Sequence, residues 1–249
     1  MTLSTAEIEQ ATLLAWPALE EVSDGAWVAR FARGYTKRAN SIHSTDPADD
    51  RDIAARLERF SELYRQRGLR PIFRITPLAS PAIGTVLDRE GWDSFEPSLV
   101  LAMDLPKRMR PVPVRTAFFE PTDPQWLELQ GALSHDDEAA GASLAAIVAR
   151  IAVPARGLVV YDAEGTPAGA ALAVNSGGVA VFLNVVVDAN KRGQGLGRSV
   201  MLAASNWTSQ SGATRAAIQV LADNTVAIGL YQSLGFSERY RYHYRRAPL

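Results

Sequence analysis

The stretch Val185-Val186-Val187-Asp188-Ala189-Asn190-Lys191-Arg192-Gly193-Gln194-Gly195-Leu196-Gly197-Arg198 holds the clearest chemistry in this sequence. An apolar, β-branched run stops, glycines follow at alternate positions, and a helix-compatible segment begins. Backbone N–H groups at a helix start form a seat for anions, reinforced by the helix dipole. Glycine keeps side chains out of such a seat and supplies positive φ. Arg192 and Arg198 can add charge-assisted bonds to phosphate. The same pattern also serves an ordinary glycine-rich turn capping a helix. A Walker A loop is excluded, because no Lys-Ser/Thr follows the glycines, and a dinucleotide-binding fingerprint fails on spacing and on its acidic partner.

A second segment runs Gln219-Val220-Leu221-Ala222-Asp223-Asn224-Thr225-Val226-Ala227-Ile228-Gly229-Leu230-Tyr231-Gln232-Ser233-Leu234-Gly235-Phe236. Together the two segments strongly resemble the GNAT superfamily of acyl-CoA-dependent N-acetyltransferases. Arg192-Gly193-Gln194-Gly195-Leu196-Gly197 matches its pyrophosphate loop, [Q/R]-x-x-G-x-[G/A]. Asn224, Ala227, Leu230-Tyr231 and Gly235-Phe236 match its N-x-x-A-x-x-L-Y-x-x-x-G-F signature. The resemblance covers about residues 112–245, with the specific motifs confined to 185–236.

That resemblance implies acetyl-CoA as cosubstrate, direct attack by an amine, and no metal. Backbone groups of Val185, Val186 and Val187 would face the pantetheine arm, and the amides of residues 192–197 would hold the pyrophosphate. Asn224 would bind the cofactor arm, and Tyr231 would protonate the leaving thiolate. Read as residues alone, Asn224 is equally a helix N-cap, and Tyr231 an aromatic anchoring a helix to the sheet. Many relatives carry a Glu on the strand entering the loop; here that strand reads Val181-Phe182-Leu183-Asn184, with no carboxylate. Asn184 either orients a water or substrate or is a satisfied core amide. His135, Asp136, Asp137 and Glu138 lie on a connection that borders the acceptor cleft in this family; a solvated acidic loop is the other reading.

Around these motifs the chain reads as a mixed α/β (α+β) sheet with packed helices. An amphipathic helix opens the chain. Strands are expected at Val112–Phe118, on both sides of the Gly165 turn, at Val179–Val187 and at Arg215–Leu221. Helices are expected over Gln125–Arg150 (broken near Ser134–Asp137 and at Gly141), from about Gly195 to Gln210, and at Thr225–Leu234. A strand pair is expected at Phe236–Arg245. The basic, proline-rich Pro106–Pro113 reads as a connector, dividing the chain into residues 1–105 and 111–249.

The first part echoes the second. A helix is expected over Pro47–Arg67, a strand over Leu69–Thr76 and a helix over Pro81–Arg89. One offset of 144 carries Gly68 onto Gly212 and Gly91 onto Gly235. This reads as a tandem GNAT-like fold, with a degenerate N-terminal copy and an intact C-terminal one, two sheets packed as one body. At the same offset the phosphate loop falls on Ala48-Asp49-Asp50-Arg51-Asp52-Ile53, whose aspartates repel phosphate. Tyr231 falls on Leu87 and Asn224 on Ser80. The aromatic and basic run Trp27–Ser41 reads as an acceptor pocket, an interface, or a strand with a polar face.

The composition narrows the classes. The 249 residues are 47% hydrophobic and 21% charged, a globular balance. With 26 Lys+Arg against 27 Asp+Glu the net charge is -1, which argues against nucleic acid as a partner. There are no cysteines, so thiolate chemistry is excluded, and the three scattered histidines argue against a His-rich metal site. No apolar run suits a membrane span and the N-terminus lacks a basic leader, so a soluble, cytoplasmic protein is expected. The expected function is acetyl transfer from acetyl-CoA to a primary amine, on a small molecule or a peptide. A non-catalytic acyl-CoA-binding or sensor protein is the alternative. The acceptor, the general base and the oligomeric state stay open.

Overall fold

The computed structural model describes residues 3–108 and 110–248. In chain order the elements are α1 (Thr5–Ala15), β1 (Glu20–Asp24), β2 (Trp27–Phe31), β3 (Ile42–Ser44), α2 (Ile53–Gln66), β4 (Ile72–Ile75), α3 (Pro81–Arg89) and β5 (Asp93–Asp104). Then follow β6 (Thr116–Phe119), α4 (Pro124–Ser134), α5 (Glu138–Val148), β7 (Ala155–Tyr161), β8 (Pro167–Ser176), β9 (Val179–Val187), α6 (Leu196–Gln210), β10 (Arg215–Leu221), α7 (Thr225–Leu234) and β11 (Ser237–Arg246). Caps fix many of the helix starts. Ser4 and Glu7 form a reciprocal capping box on α1, and the side chains of Ser80, Asp123, Asp137 and Asn224 each accept a first-turn N–H.

All the strands join one sheet, ordered β1-β2-β3-β4-β11-β5-β10-β9-β8-β7-β6. Two packed sheets were expected, and the correction has a physical cause: the last strand of each half crosses to the other. β11 lies antiparallel between β4 and β5, and β5 lies antiparallel against β10. Each exchanged strand thereby covers an edge that would otherwise be left unpaired. The connector at 106–113 is thus no boundary in the sheet.

The offset of 144 reappears as recurring hydrogen bonds. Leu69 N–H donates to the Tyr64 carbonyl at 2.9 Å, and Ala213 N–H to that of Thr208 at 2.9 Å. Trp92 N–H donates to Leu87 at 2.9 Å, and Phe236 N–H to Tyr231 at 3.1 Å. The glycines between, Gly68, Gly91, Gly212 and Gly235, all have positive φ and end their helices alike.

Four local expectations are corrected. Residues 237–246 form one strand, because β5 supplies the neighbour a second strand would have provided. Helix α2 starts at Ile53 rather than Pro47, because Asp49 is drawn into bonds with Ala26 N–H and Arg56. Helix α5 runs through Gly141, which costs a helix only modestly. β6 starts at Thr116, leaving Val112 outside the sheet.

Alternation along β5 divides the core. Val100 and Ala102 face the α1 side, while Leu99 and Leu101 face the α6–α7 side. A third cluster, around Trp27, Phe60, Tyr64, Phe73 and Leu87, holds α2 and α3. On the α1 side, a Cβ at Gly157 would run into the fully buried Trp126 indole. Gly157→Ala should therefore lower stability by ~2 kcal/mol, read as a fall in Tm of about 5 °C; an unchanged Tm would show that the indole can move aside.

Candidate active site

β9 and β10 are parallel neighbours only from Val179↔Arg215 to Phe182↔Ile218. Beyond Phe182, β9 keeps its ladder with β8 as far as Val187 but has none with β10. The divergence coincides with a bulge opposite Ala170–Leu172, where Asn184 takes a left-handed φ of 49°. Bulges bend a strand and re-aim its groups. Gln130 supports this one from α4, donating from Nε2 to the Asn184 carbonyl at 3.2 Å and to Ser134 Oγ at 2.9 Å. The Nδ2 of Asn184 is buried and has no protein partner among the described residues.

A cavity of about 430 Å³ opens between the splayed ends. Asn184 and Val185 line it from β9, Gln219 and Leu221 from β10, and Asn224 and Tyr231 from α7. Asn224 also caps α7, accepting from Ala227 N–H at 3.1 Å, as the N-cap reading expects. The Tyr231 ring packs on Phe236, is largely buried and lines the cavity, and its hydroxyl has no hydrogen-bond partner among the described residues. Burial pushes its phenol up to about 12, so the hydroxyl holds its proton at neutral pH.

The glycine loop lies outside this cavity, on the exposed surface ahead of α6. Gly193 and Gly195 have φ of 78° and 77°, and Gly195 caps the helix. Gly197 packs closely on Leu230 and Val187, so the loop abuts both α7 and the end of β9. Gln194 and Arg192 are exposed, Leu196 is core, and Arg198 donates to Ser233 Oγ at 3.1 Å. Lys191 is held by Asp162 at 2.5 Å. Val186 and Val187 join the loop to the cavity wall along one strand. Positive-φ turns, a helix start and strand groups lacking a ladder partner form a cradle that suits the pyrophosphate and arm of CoA. Among the described residues no cluster of three His, Asp or Glu could hold a metal, and no helix is long and apolar enough to cross a membrane.

The corresponding place in the first half is filled by its own side chains. β3 has three residues where β9 has nine. The nearly buried Arg56 bonds both carboxylate oxygens of Asp49 at 3.0 Å and Asp24 at 3.1 Å. Yet this half reaches the cavity: Trp16, Thr36, Lys37, Arg38, Glu96 and Ser98 line its far side, with Tyr242 and Tyr244 of β11. Of the run Trp27–Ser41, β2 is core and the residues after it turn toward the cavity. Burial alone would raise the Tyr242 phenol, but the Arg38 and Arg74 guanidinium groups outweigh it and hold it below its ordinary value. His135–Glu138 do not line the cavity. Asp137 caps α5, while Asp136 faces Tyr35; burial first, then the Asp137 charge, raises its carboxyl.

Residues that sequence reasoning missed are Gln130, Glu96 and Tyr242; Arg38 lies within the Trp27–Ser41 run already singled out. No signal marks Gln130, because α4 also carries the polar side chains of Gln125, Glu128 and Ser134.

A strand that splays after a bulge, a glycine loop opening a helix, and a tyrosine from the next helix facing the gap define a GNAT acetyltransferase fold. Comparison with known proteins agrees. Solved structures of similar shape include a GCN5-related N-acetyltransferase from Kribbella flavida, with TM-score 0.73, 20% identity, and coverage of 100% of this chain and 97% of that one. Another is a tandem GNAT protein from the clavulanic acid biosynthesis pathway, with TM-score 0.65, 16% identity, and coverage of 83% and 74%. A curated relative, "Uncharacterized N-acetyltransferase YobR" of Bacillus subtilis (strain 168), is 26% identical over 247 residues, spanning 96% of this chain and 97% of its own. The family model described as "Probable histone acetyltransferase Rv0428c C-terminal" matches residues 2–245. The chain belongs to that acetyltransferase family.

Proposed function

We propose that this chain transfers an acetyl group from acetyl-CoA to a primary amine, with the acyl site in residues 111–249 and residues 1–105 acting as a degenerate copy that completes the acceptor side. The observation that carries this is Tyr231, which lines the cavity where β9 and β10 part and whose hydroxyl has no hydrogen-bond partner among the described residues. When bound, the thioester supplies an activated acetyl group. The loop amides of 192–197 seat the pyrophosphate, and the β10-facing groups of residues 183–187 hold the arm in extended form. Asn224 steadies the start of α7, which carries Tyr231. Tyr231 keeps its proton until the thiolate departs, then donates it.

Tyr231→Phe tests this reading. The ring keeps its packing and only the donor goes, so kcat should fall roughly 10²-fold while acetyl-CoA affinity stays near wild type. Loss in kcat without loss in binding marks an interaction made in the transition state. An unchanged kcat, with chemistry shown to limit turnover, would remove Tyr231 from the mechanism.

One observation favours a second reading, an acyl-CoA-binding protein without turnover. The carboxylate lining the cavity, Glu96, is ion-paired with Lys37 at 2.9 Å rather than poised as a base. An acceptor screen reporting release of free CoA separates the two readings.

A further inference from the structure

The turn after β2 shares nothing with the acyl-CoA machinery, yet it is built with care. Asn40 Oδ1 accepts from the N–H groups of Ala32 and Gly34 at 2.7 and 2.9 Å, and its Nδ2 donates to the Thr36 carbonyl at 2.8 Å. Trp16 Nε1 donates to Thr36 Oγ1 at 3.0 Å. The fully buried Arg30 donates from Nη1 to the Arg38 carbonyl at 3.0 Å. Such a mesh fixes the backbone from beneath and delivers the Arg38 side chain to the cavity in a set direction.

The charges there decide what that side chain is for. Lys37, Arg38 and Glu96 are the ionisable Lys, Arg, Asp or Glu residues that line the cavity. Lys37 and Glu96 satisfy each other at 2.9 Å. Arg38 forms no ion pair among the described residues. Its partners are neutral: Nε donates to Gln219 Oε1 at 3.0 Å, and another N–H reaches the Tyr242 hydroxyl. Gln219 is itself held, donating to Thr12 Oγ1 at 3.3 Å. A half-buried guanidinium whose hydrogen-bond partners are neutral and which has no carboxylate paired to it keeps its positive charge and spare donors in a fork that matches a planar carboxylate. A dianionic phosphate would call for a second free cation, and Lys37 is already neutralised. A polycationic acceptor would be repelled.

We propose that Arg38 binds the carboxylate of the acceptor, so that the amine acetylated belongs to an amino acid or a similar small amino-carboxylate. The carboxylate docks on the N-terminal half, and the amine then faces the wall carrying Asn184 and Tyr231. This rests on the acetyl-transfer reading above.

The test uses the full chain, acetyl-CoA, the twenty standard amino acids, their carboxamides, and spermidine, with release of free CoA as the readout. The preferred amino acid should exceed its own carboxamide by about 30-fold or more in kcat/KM, the usual penalty for removing one partner of a desolvated charge pair. Arg38→Gln should erase that preference by lowering the acid alone, while Arg38→Lys keeps part of it. Acetyl-CoA affinity, measured by calorimetry, should match wild type in both variants, which also reports that they fold. Equal turnover of acid and carboxamide, or preference for spermidine, would overturn the Arg38 assignment and leave acetyl transfer standing. Failure of the wild-type protein to bind acetyl-CoA would overturn both.

Discussion

Gly195→Asp should abolish useful acetyl-CoA binding, raising its Kd by 10² to 10³-fold in calorimetry. The backbone at Gly195 has a φ of 77° at the cap of α6, and a Cβ there meets nothing within 4 Å. Aspartate tolerates left-handed backbone better than most residues and is a good N-cap, so the fold should survive at a cost of ~1 kcal/mol. What changes is charge. A carboxylate facing the pyrophosphate repels it by about 4 kcal/mol at 4 Å and an effective dielectric of 20, less once the exposed loop is screened by salt. Gly195→Asn has nearly the same shape without the charge, so it should bind at least ten times better than the aspartate variant. If the two variants bind alike, electrostatic seating of phosphate by this loop is wrong.

A chain beginning at Pro111 should fail to fold into an active body. It would lack β5, which pairs with β10 from Leu221↔Ser98 to Arg215↔Asp104 and also flanks β11. It would lack β4 as well, so β11 would have no neighbour. Residues Leu99, Leu101, Val100 and Ala102 would leave both faces of the core. Bared strand edges and apolar faces favour association. The expected result is an aggregating product without cooperative melting or acetyl-CoA binding, restored when residues 1–110 are co-expressed. A monomeric fragment with a sharp Tm and wild-type affinity for acetyl-CoA would show that the exchanged strands are dispensable.

The acyl half was legible because its signals are local. The loop glycines and a capping Asn sit within 52 consecutive positions, 185–236, and the largely apolar strand Val179–Val187 leads into them, so one segment predicts its own shape. The exchange of β5 and β11 was not legible, since nothing along either strand names a partner far away in sequence. The strands β1 and β3 were missed for another reason: one is largely polar, the other three residues long, and neither carries alternation. Arg30 and Arg74 are both buried, which nothing in their local sequence announces. The Arg74 guanidinium is met by the Glu9 carboxylate and lies 3.9 Å from the Tyr242 ring centroid. Paired burial of that kind depends on tertiary partners. The far side of the cavity draws on residues of the Trp27–Ser41 run, but Glu96 and Tyr242 reach it only because the strands are exchanged.

Interleaving also sets an order of events during synthesis. β4 and β5 emerge from the ribosome long before β11, the strand that lies between them. Through most of translation, one edge of β4 and both edges of β5 therefore wait without a partner. Pairings of such sequence separation are slow to form and leave sticky intermediates exposed. Until its final strand is in place, the nascent chain keeps those edges open to wrong pairing.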